Sequence, residues 1–105
     1  MEAIRLLNDN FRRTFHGGRV CTTNGIALLP EDTKIRILDR VRSFEDFDED
    51  NDPHGEHDFG TFSIDGMIIF FKIDYYDQCC QAGSEDPSDP KKTTRVLTIL
   101  RAEEW

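Results

Sequence analysis

Basic residues, long apolar runs and cysteines are scarce in this sequence. Its 105 residues contain 13 Lys and Arg against 21 Asp and Glu, for a formal charge of -8. No run approaches the about 20 apolar residues of a membrane-spanning helix, since the longest, residues 67–71, has the length of a strand. The first fifteen residues are charged throughout and lack the apolar centre of a secretory signal. We therefore expect a cytoplasmic protein that does not bind membranes.

Only three cysteines are present, and two of them, Cys79 and Cys80, are adjacent. An odd count at this spacing is unlike a disulfide framework. The neighbouring Asp77 and Gln78 supply no positive charge that would activate a thiol, so inert thiols are expected.

The shortage of basic residues is concentrated in one segment, residues 45–58, which holds eight acids and no Lys or Arg. The rest of the chain has 13 residues of each sign. A block of like charges repels itself, so it is expected to be solvated, to hold a cation or to dock on a basic partner. The candidate partner-binding residues are Glu45, Asp46, Asp48, Glu49, Asp50, Asp52, Glu56 and Asp58.

Two segments have the apolar spacing of helices. In residues 2–15 the apolar positions recur every three or four residues, and the pattern turns Arg5, Asp9, Arg12 and Arg13 away from the core. Pro30, Glu31 and Asp32 mark the start of a second helix over residues 31–44. The expected apolar positions of the second helix are Ile35, Ile37, Leu38, Val41 and Phe44.

Two hairpin signals complete the fold prediction. Asn24-Gly25 separates short β-type runs, and Asp65-Gly66 separates residues 57–64 from 67–76. A two-residue turn at Asp65-Gly66 places Ile64 opposite Met67 and His57 opposite Asp74. Residues 93–100 alternate as a last strand. We predict a single α+β domain, residues 1–105, in which two helices pack on one face of an antiparallel sheet built from two β-hairpins and a C-terminal strand. Its core face is expected to carry Phe62, Ile64, Met67, Ile69, Phe71, Ile73 and Tyr75.

The segments LNDNFRRTF, GGRVCTTNGIALLP, FEDFDEDNDPHGEHDFG and FKIDYYD together form a specific pattern. On these motifs the chain resembles the bacterial family catalogued as domain of unknown function 3768, small proteins often found on plasmids and other mobile elements. Phe71 stands where the family has tryptophan, and Trp105 where it has tyrosine. The resemblance implies a fold and a bacterial or phage-like setting, and no activity.

Metal chemistry fits the sequence poorly. Asp48, Asp50 and Asp52 match the start of an EF-hand calcium loop, but its glycine position holds Pro53 and its final glutamate position holds Phe59. The sequence His54-Gly-Glu-His57 differs from the zinc motif His-Glu-x-x-His, and the cysteines form no Cys-x-x-Cys pair. No metal and no other cofactor is expected.

Two functions remain open. An enzyme or ligand-binding protein would use a polar cluster of His54, Glu56, His57, Lys72, Asp74 and Tyr76, although no nucleophile or phosphate loop accompanies it. The favoured alternative is a non-enzymatic interaction protein whose acidic segment imitates phosphates and docks on a basic, nucleic-acid-binding protein. An inhibitor of a host defence system, of the anti-CRISPR or anti-restriction type, would have these properties. Direct nucleic-acid binding is not expected from a protein of charge -8.

Overall fold

The computed structural model describes residues 2–105, which form three helices and a four-stranded mixed sheet. The helices are α1 (Glu2–Thr14), the short α2 (Asn24–Ala27) and α3 (Glu31–Ser43). The strands are β1 (Gly18–Thr22), β2 (Phe59–Ile64), β3 (Met67–Tyr76) and β4 (Thr94–Arg101), followed by a 3-10 turn at Ala102–Glu104. The sheet order is β1-β4-β3-β2, and the predicted α+β class is confirmed. No helix among the described residues is both long and apolar enough to span a bilayer.

The hairpin of β2 and β3 has the predicted register. Ile64 pairs with Met67 and Phe59 with Lys72, and the intervening turn places Asp65 and Gly66 at positive φ. Such a turn is favourable for this pair of residues, which is why the local sequence predicts the register. The predicted core face is confirmed, because five of its members are buried and the other two, Met67 and Tyr75, pack against them.

Leu97 and Ile99 of β4 extend the core face across the sheet. Both long helices pack over this face. In α3 the buried stripe is Thr33, Ile37 and Val41, spaced four residues apart. The prediction that Ile35 belongs to this stripe is wrong, because its side chain is exposed on the far side of the helix. In β2, Gly60 allows close approach, since a Cβ there would lie 2.4 Å from the Phe71 ring.

The predicted hairpin at Asn24-Gly25 is wrong in its second half. The first strand exists as β1, but it pairs in parallel with β4, and residues 24–27 form the helical turn α2. The cause is a distant side chain: the Glu104 carboxylate accepts hydrogen bonds from the Thr23 hydroxyl at 2.6 Å and the Gly25 amide at 3.0 Å. The Thr23 bond is also the main reason why the pKa of Glu104 is lowered.

Within residues 2–105, neither of the two long helices covers the second face of the sheet. Its residues follow from the register and include Phe59, Thr61, Phe70, Lys72, Thr98 and Leu100. We call this surface the open face. The Trp105 ring packs edge-on against this face, 5.7 Å from the Phe59 ring and 5.5 Å from the Phe70 ring. The Trp105 side chain nevertheless remains largely exposed.

Candidate functional site

The acidic segment leaves α3 and is anchored at once by two aromatic rings. Phe44 is buried, with its ring centroid 5.2 Å from that of Phe71 on the core face of the sheet. Phe47 packs edge-on against Phe44 at 5.0 Å and stacks flat on the His57 ring at 3.9 Å and 4°. These contacts hold both ends of the segment against the helix-bearing side of the sheet.

His57 lies between two carboxylates. Its Nδ1 is 2.8 Å from Asp9 Oδ1, and its Nε2 is 3.5 Å from Asp52 Oδ2. The Asp52 side chain is only 5% exposed, and its other oxygen accepts the amides of Glu56 and His57 at 2.9 and 3.0 Å. The Asp52 side chain therefore stabilises the turn over residues 52–57 by accepting two of its backbone amides.

The predicted pairing of His57 with Asp74 is wrong. The ladder between β2 and β3 ends at Phe59 and Lys72, and His57 has a φ of 56°, which turns the chain out of the strand. Asp74 instead pairs with Lys72, with 3.0 Å between Oδ2 and Nζ. The carboxylates that flank the imidazole come from α1 and from the acidic segment, which strand register could not reveal.

Arg12 of α1 is fully buried and joins this cluster to α3. Its guanidinium donates to the carbonyls of Val41 at 2.9 Å and Arg42 at 3.1 Å, and to Asp9 Oδ1 at 3.2 Å. It also lies 5.3 Å from the centre of the Phe47 ring. Burial lowers the pKa of Arg12, and the hydrogen bond to Asp9 opposes this effect. Asp9 thus receives one donor from Arg12 and contacts His57 with the same oxygen.

A second set of buried polar groups continues along the sheet. Asn8 Nδ2 donates to the Tyr75 hydroxyl at 2.7 Å and to the Glu56 carbonyl at 2.9 Å. The Tyr75 hydroxyl donates to Glu56 Oε1 at 2.7 Å, and Arg95 Nε donates to Asn8 Oδ1 at 2.8 Å. Burial, followed by the bond to Glu56, raises the pKa of Tyr75 far above its usual range. We call these eight residues the polar base: Asn8, Asp9, Arg12, Asp52, Glu56, His57, Tyr75 and Arg95.

Replacing Tyr75 with phenylalanine should lower the free energy of unfolding by about 1–3 kcal/mol, because Asn8 and Glu56 each lose a partner in a half-buried place. Tyr76→Phe is the matched control, since the neighbouring hydroxyl makes no side-chain hydrogen bond among the described residues and lies on the open face. Urea denaturation of both variants measures the difference. Equal losses for the two would contradict a role for the Tyr75 hydroxyl in the polar base.

The eight predicted partner-binding acids separate into two groups. Three of them are at least partly buried in the fold: Asp52 and Glu56 belong to the polar base, and Asp58 is half-buried. The other five lie together at the surface of residues 45–50. We call these five the acidic loop: Glu45, Asp46, Asp48, Glu49 and Asp50.

Asp58 differs electrostatically from the acidic loop. Burial, and then the nearby charge of Glu56, raises its pKa. Because the folded pKa lies above the unfolded one, the charged form opposes folding, and this penalty appears as the pH rises through the folded pKa.

Asp58→Asn should therefore increase stability at neutral pH, by up to about 1 kcal/mol because water still screens the half-exposed group. The gain should vanish near about pH 3, where the carboxyl is protonated in both states. Denaturant titrations at the two pH values test this expectation. A gain of the same size at both would show that the charge of Asp58 is not its cause.

The six candidate catalytic residues are not brought together. Glu56 and His57 belong to the polar base on the helix-bearing side, whereas His54 is exposed in the turn. Lys72, Asp74 and Tyr76 lie on the open face, because they alternate with the core residues of β3. The sheet therefore separates the two halves of the predicted cluster.

A family model described as "Protein of unknown function (DUF3768)" matches residues 22–104 of the chain. The chain belongs to this family. Searches of curated proteins and of solved structures gave no match. The region shared with the DUF3768 family contains the acidic loop and five members of the polar base, whereas Asn8, Asp9 and Arg12 precede it.

Sequence reasoning missed the contribution of α1 to the site. It assigned Asp9 and Arg12 to a solvent-facing side, but Asn8, Asp9 and Arg12 are buried. One signal was available: Ile4, Asn8, Phe11 and Arg12 share the i, i+4, i+7, i+8 spacing of a single helix face. Polar residues on that face indicate a buried network when another segment supplies their partners, and here the acidic segment and β3 do so.

Proposed function

We propose that this protein is an interaction protein whose acidic loop docks on a basic surface of another protein. The observation that carries the proposal is the combination of exposed carboxylates with a fixed backbone. All five acids of the loop are exposed. The segment that bears them is held at both ends by Phe44, Phe47 and the polar base.

The loop is also ordered internally. The Asp48 carboxylate accepts the amides of Asp50 at 2.9 Å and Asn51 at 3.0 Å. The Asn51 side chain accepts the Asp48 amide and donates to the Asp46 carbonyl at 2.8 Å. A loop that is already ordered loses little conformational entropy on binding, so its charges contribute more fully to affinity.

Basic surfaces in proteins commonly serve to bind nucleic acid, and a rigid row of carboxylates competes with phosphates for the same Arg and Lys side chains. The partner we propose is therefore a nucleic-acid-binding protein in the cytoplasm. Inhibition of a nucleic-acid-targeting defence system is the narrower form of this proposal. Within the described residues, three of the loop's acids have side chains that make no hydrogen bond or ion pair: Asp46, Glu49 and Asp50.

The test is affinity capture with the immobilised wild-type chain from a lysate of the source organism, with competitors added. Duplex DNA and salt should each release a captured basic protein, because both act on the surface that the carboxylates occupy. A captured protein that resists both competitors would contradict docking through the acidic loop.

A further inference from the structure

The open face of the sheet is the main surface that the proposed function leaves unused. An antiparallel sheet can expose one face to water, but that face is then normally polar. Here it carries an aromatic cluster of Phe59, Phe70 and Trp105, and Ile68 lies on the same face. Ile68 is 53% exposed and Trp105 is 68% exposed. Contiguous apolar surface of this kind marks an interaction site.

The charge of this face differs from that of the whole protein. By register its charged residues are Arg19, Lys72 and Asp74, so its formal charge is +1 against -8 for the chain. Lys72 and Asp74 already form an ion pair at 3.0 Å. The acidic loop lies on the other side, since Phe44 and Phe47 pack toward Phe71 on the core face.

We propose that the open face binds a second copy of this chain in a two-fold symmetric, face-to-face dimer. A two-fold interface must be self-complementary. This one brings apolar rings onto apolar rings, and it lets Lys72 of each copy approach Asp74 of the other. Because the acidic loops lie on the side of the sheet opposite to the shared surface, this arrangement does not bring the loops of the two copies together. A strongly basic protein would find no electrostatic attraction at the open face, because the formal charge of that face is +1.

The size of the face sets the expected affinity. Strands about 4.8 Å apart, with roughly six residues each at about 3.3 Å per residue, give a footprint near 20 by 20 Å. That is about 400 Å² on each copy, or roughly 800 Å² in total, which is below the about 1,200 Å² at which stable specific interfaces begin. We therefore expect a dimer that dissociates on dilution through the micromolar range rather than a permanent one.

Sedimentation equilibrium of the purified chain tests the proposal. At about 500 µM we expect a mass of twice 12.2 kDa, falling toward 12.2 kDa on dilution to about 1 µM. Trp105 is the single tryptophan, so its emission should shift to the red over the same dilution as the ring becomes exposed to water.

Ile68→Lys should remain at 12.2 kDa at every concentration. Ile35→Lys is the matched control, because Ile35 is 56% exposed on α3 and its replacement changes charge equally; this variant should dimerise like the wild type. A wild-type chain that stays monomeric at about 500 µM would overturn the proposal. It would also be overturned if Ile68→Lys still dimerised, if Ile35→Lys abolished the dimer equally, or if a single-stranded oligonucleotide bound the monomer and quenched Trp105.

Discussion

Replacing Arg12 with methionine is expected to lower the free energy of unfolding by about 3–5 kcal/mol, because one partner of a buried ion pair is removed while the other stays. Asp9, whose side chain is only 12% exposed, would lose its guanidinium partner and keep only the contact of its Oδ1 with His57 Nδ1. The carbonyls of Val41 and Arg42 would also lose their donors, so the packing of α1 on the end of α3 would weaken. Urea or guanidinium denaturation of the variant measures the loss.

Arg13→Met is the control for this experiment. Arg13 is the next residue of α1, but its side chain is exposed and reaches Glu45 only at 3.9 Å, so the change should stay within about 0.5 kcal/mol. Adding Asp9→Asn to Arg12→Met should recover part of the loss, since the buried carboxylate that has lost its guanidinium partner is then also removed. Similar stabilities for Arg12→Met and Arg13→Met would mean that Arg12 does not hold the polar base together.

The largest expected effect on binding comes from neutralising the acidic loop. The triple variant Asp46→Asn, Glu49→Gln, Asp50→Asn should weaken binding of the captured basic protein by about 30- to 100-fold, since each exposed ion pair contributes up to about 1 kcal/mol. The fold should persist, because these three side chains make no hydrogen bond or ion pair within residues 2–105. Titration of the purified partner gives the dissociation constants.

A second triple variant separates the loop from net charge. Asp32→Asn, Asp39→Asn, Glu85→Gln also removes two Asp and one Glu from exposed positions, so both variants change the formal charge from -8 to -5. This control should weaken binding by less than about 3-fold, because distant charges are screened by salt. If the two triples lost affinity equally, the protein would act through its overall charge and not through the acidic loop.

The parts of the fold that local sequence determines were predicted correctly. Asp65-Gly66 favours its turn by local chemistry, Arg36 of α3 also bonds the Asp65 carboxylate, and the alternation of β3 then assigns the core face residue by residue. Asn24-Gly25 has the same turn chemistry, but the hairpin predicted there is not formed. There the deciding contact is the Glu104 carboxylate, about eighty positions away, which draws the backbone into a helical turn.

The site was half predictable for the same reason. The acidic segment is visible as a block of charge, and its five outer acids are exposed as a solvated block should be. Which acids turn inward depends on partners that no charge pattern within 45–58 could reveal: Asp52 accepts the amides of Glu56 and His57, and the Glu56 carboxylate accepts the Tyr75 hydroxyl. Ile35 shows the converse, an apolar residue left at the surface because only one stripe of α3 meets the sheet.

The central claim is that residues 45–50 form the contact surface for a basic partner. Backbone hydrogen–deuterium exchange of the wild-type chain, alone and saturated with the captured protein, tests this claim most directly. We expect slower exchange in peptides covering residues 45–50 and no change in β1, which lies at the far edge of the sheet. Unchanged exchange in 45–50, with slower exchange confined to the open face, would contradict the claim.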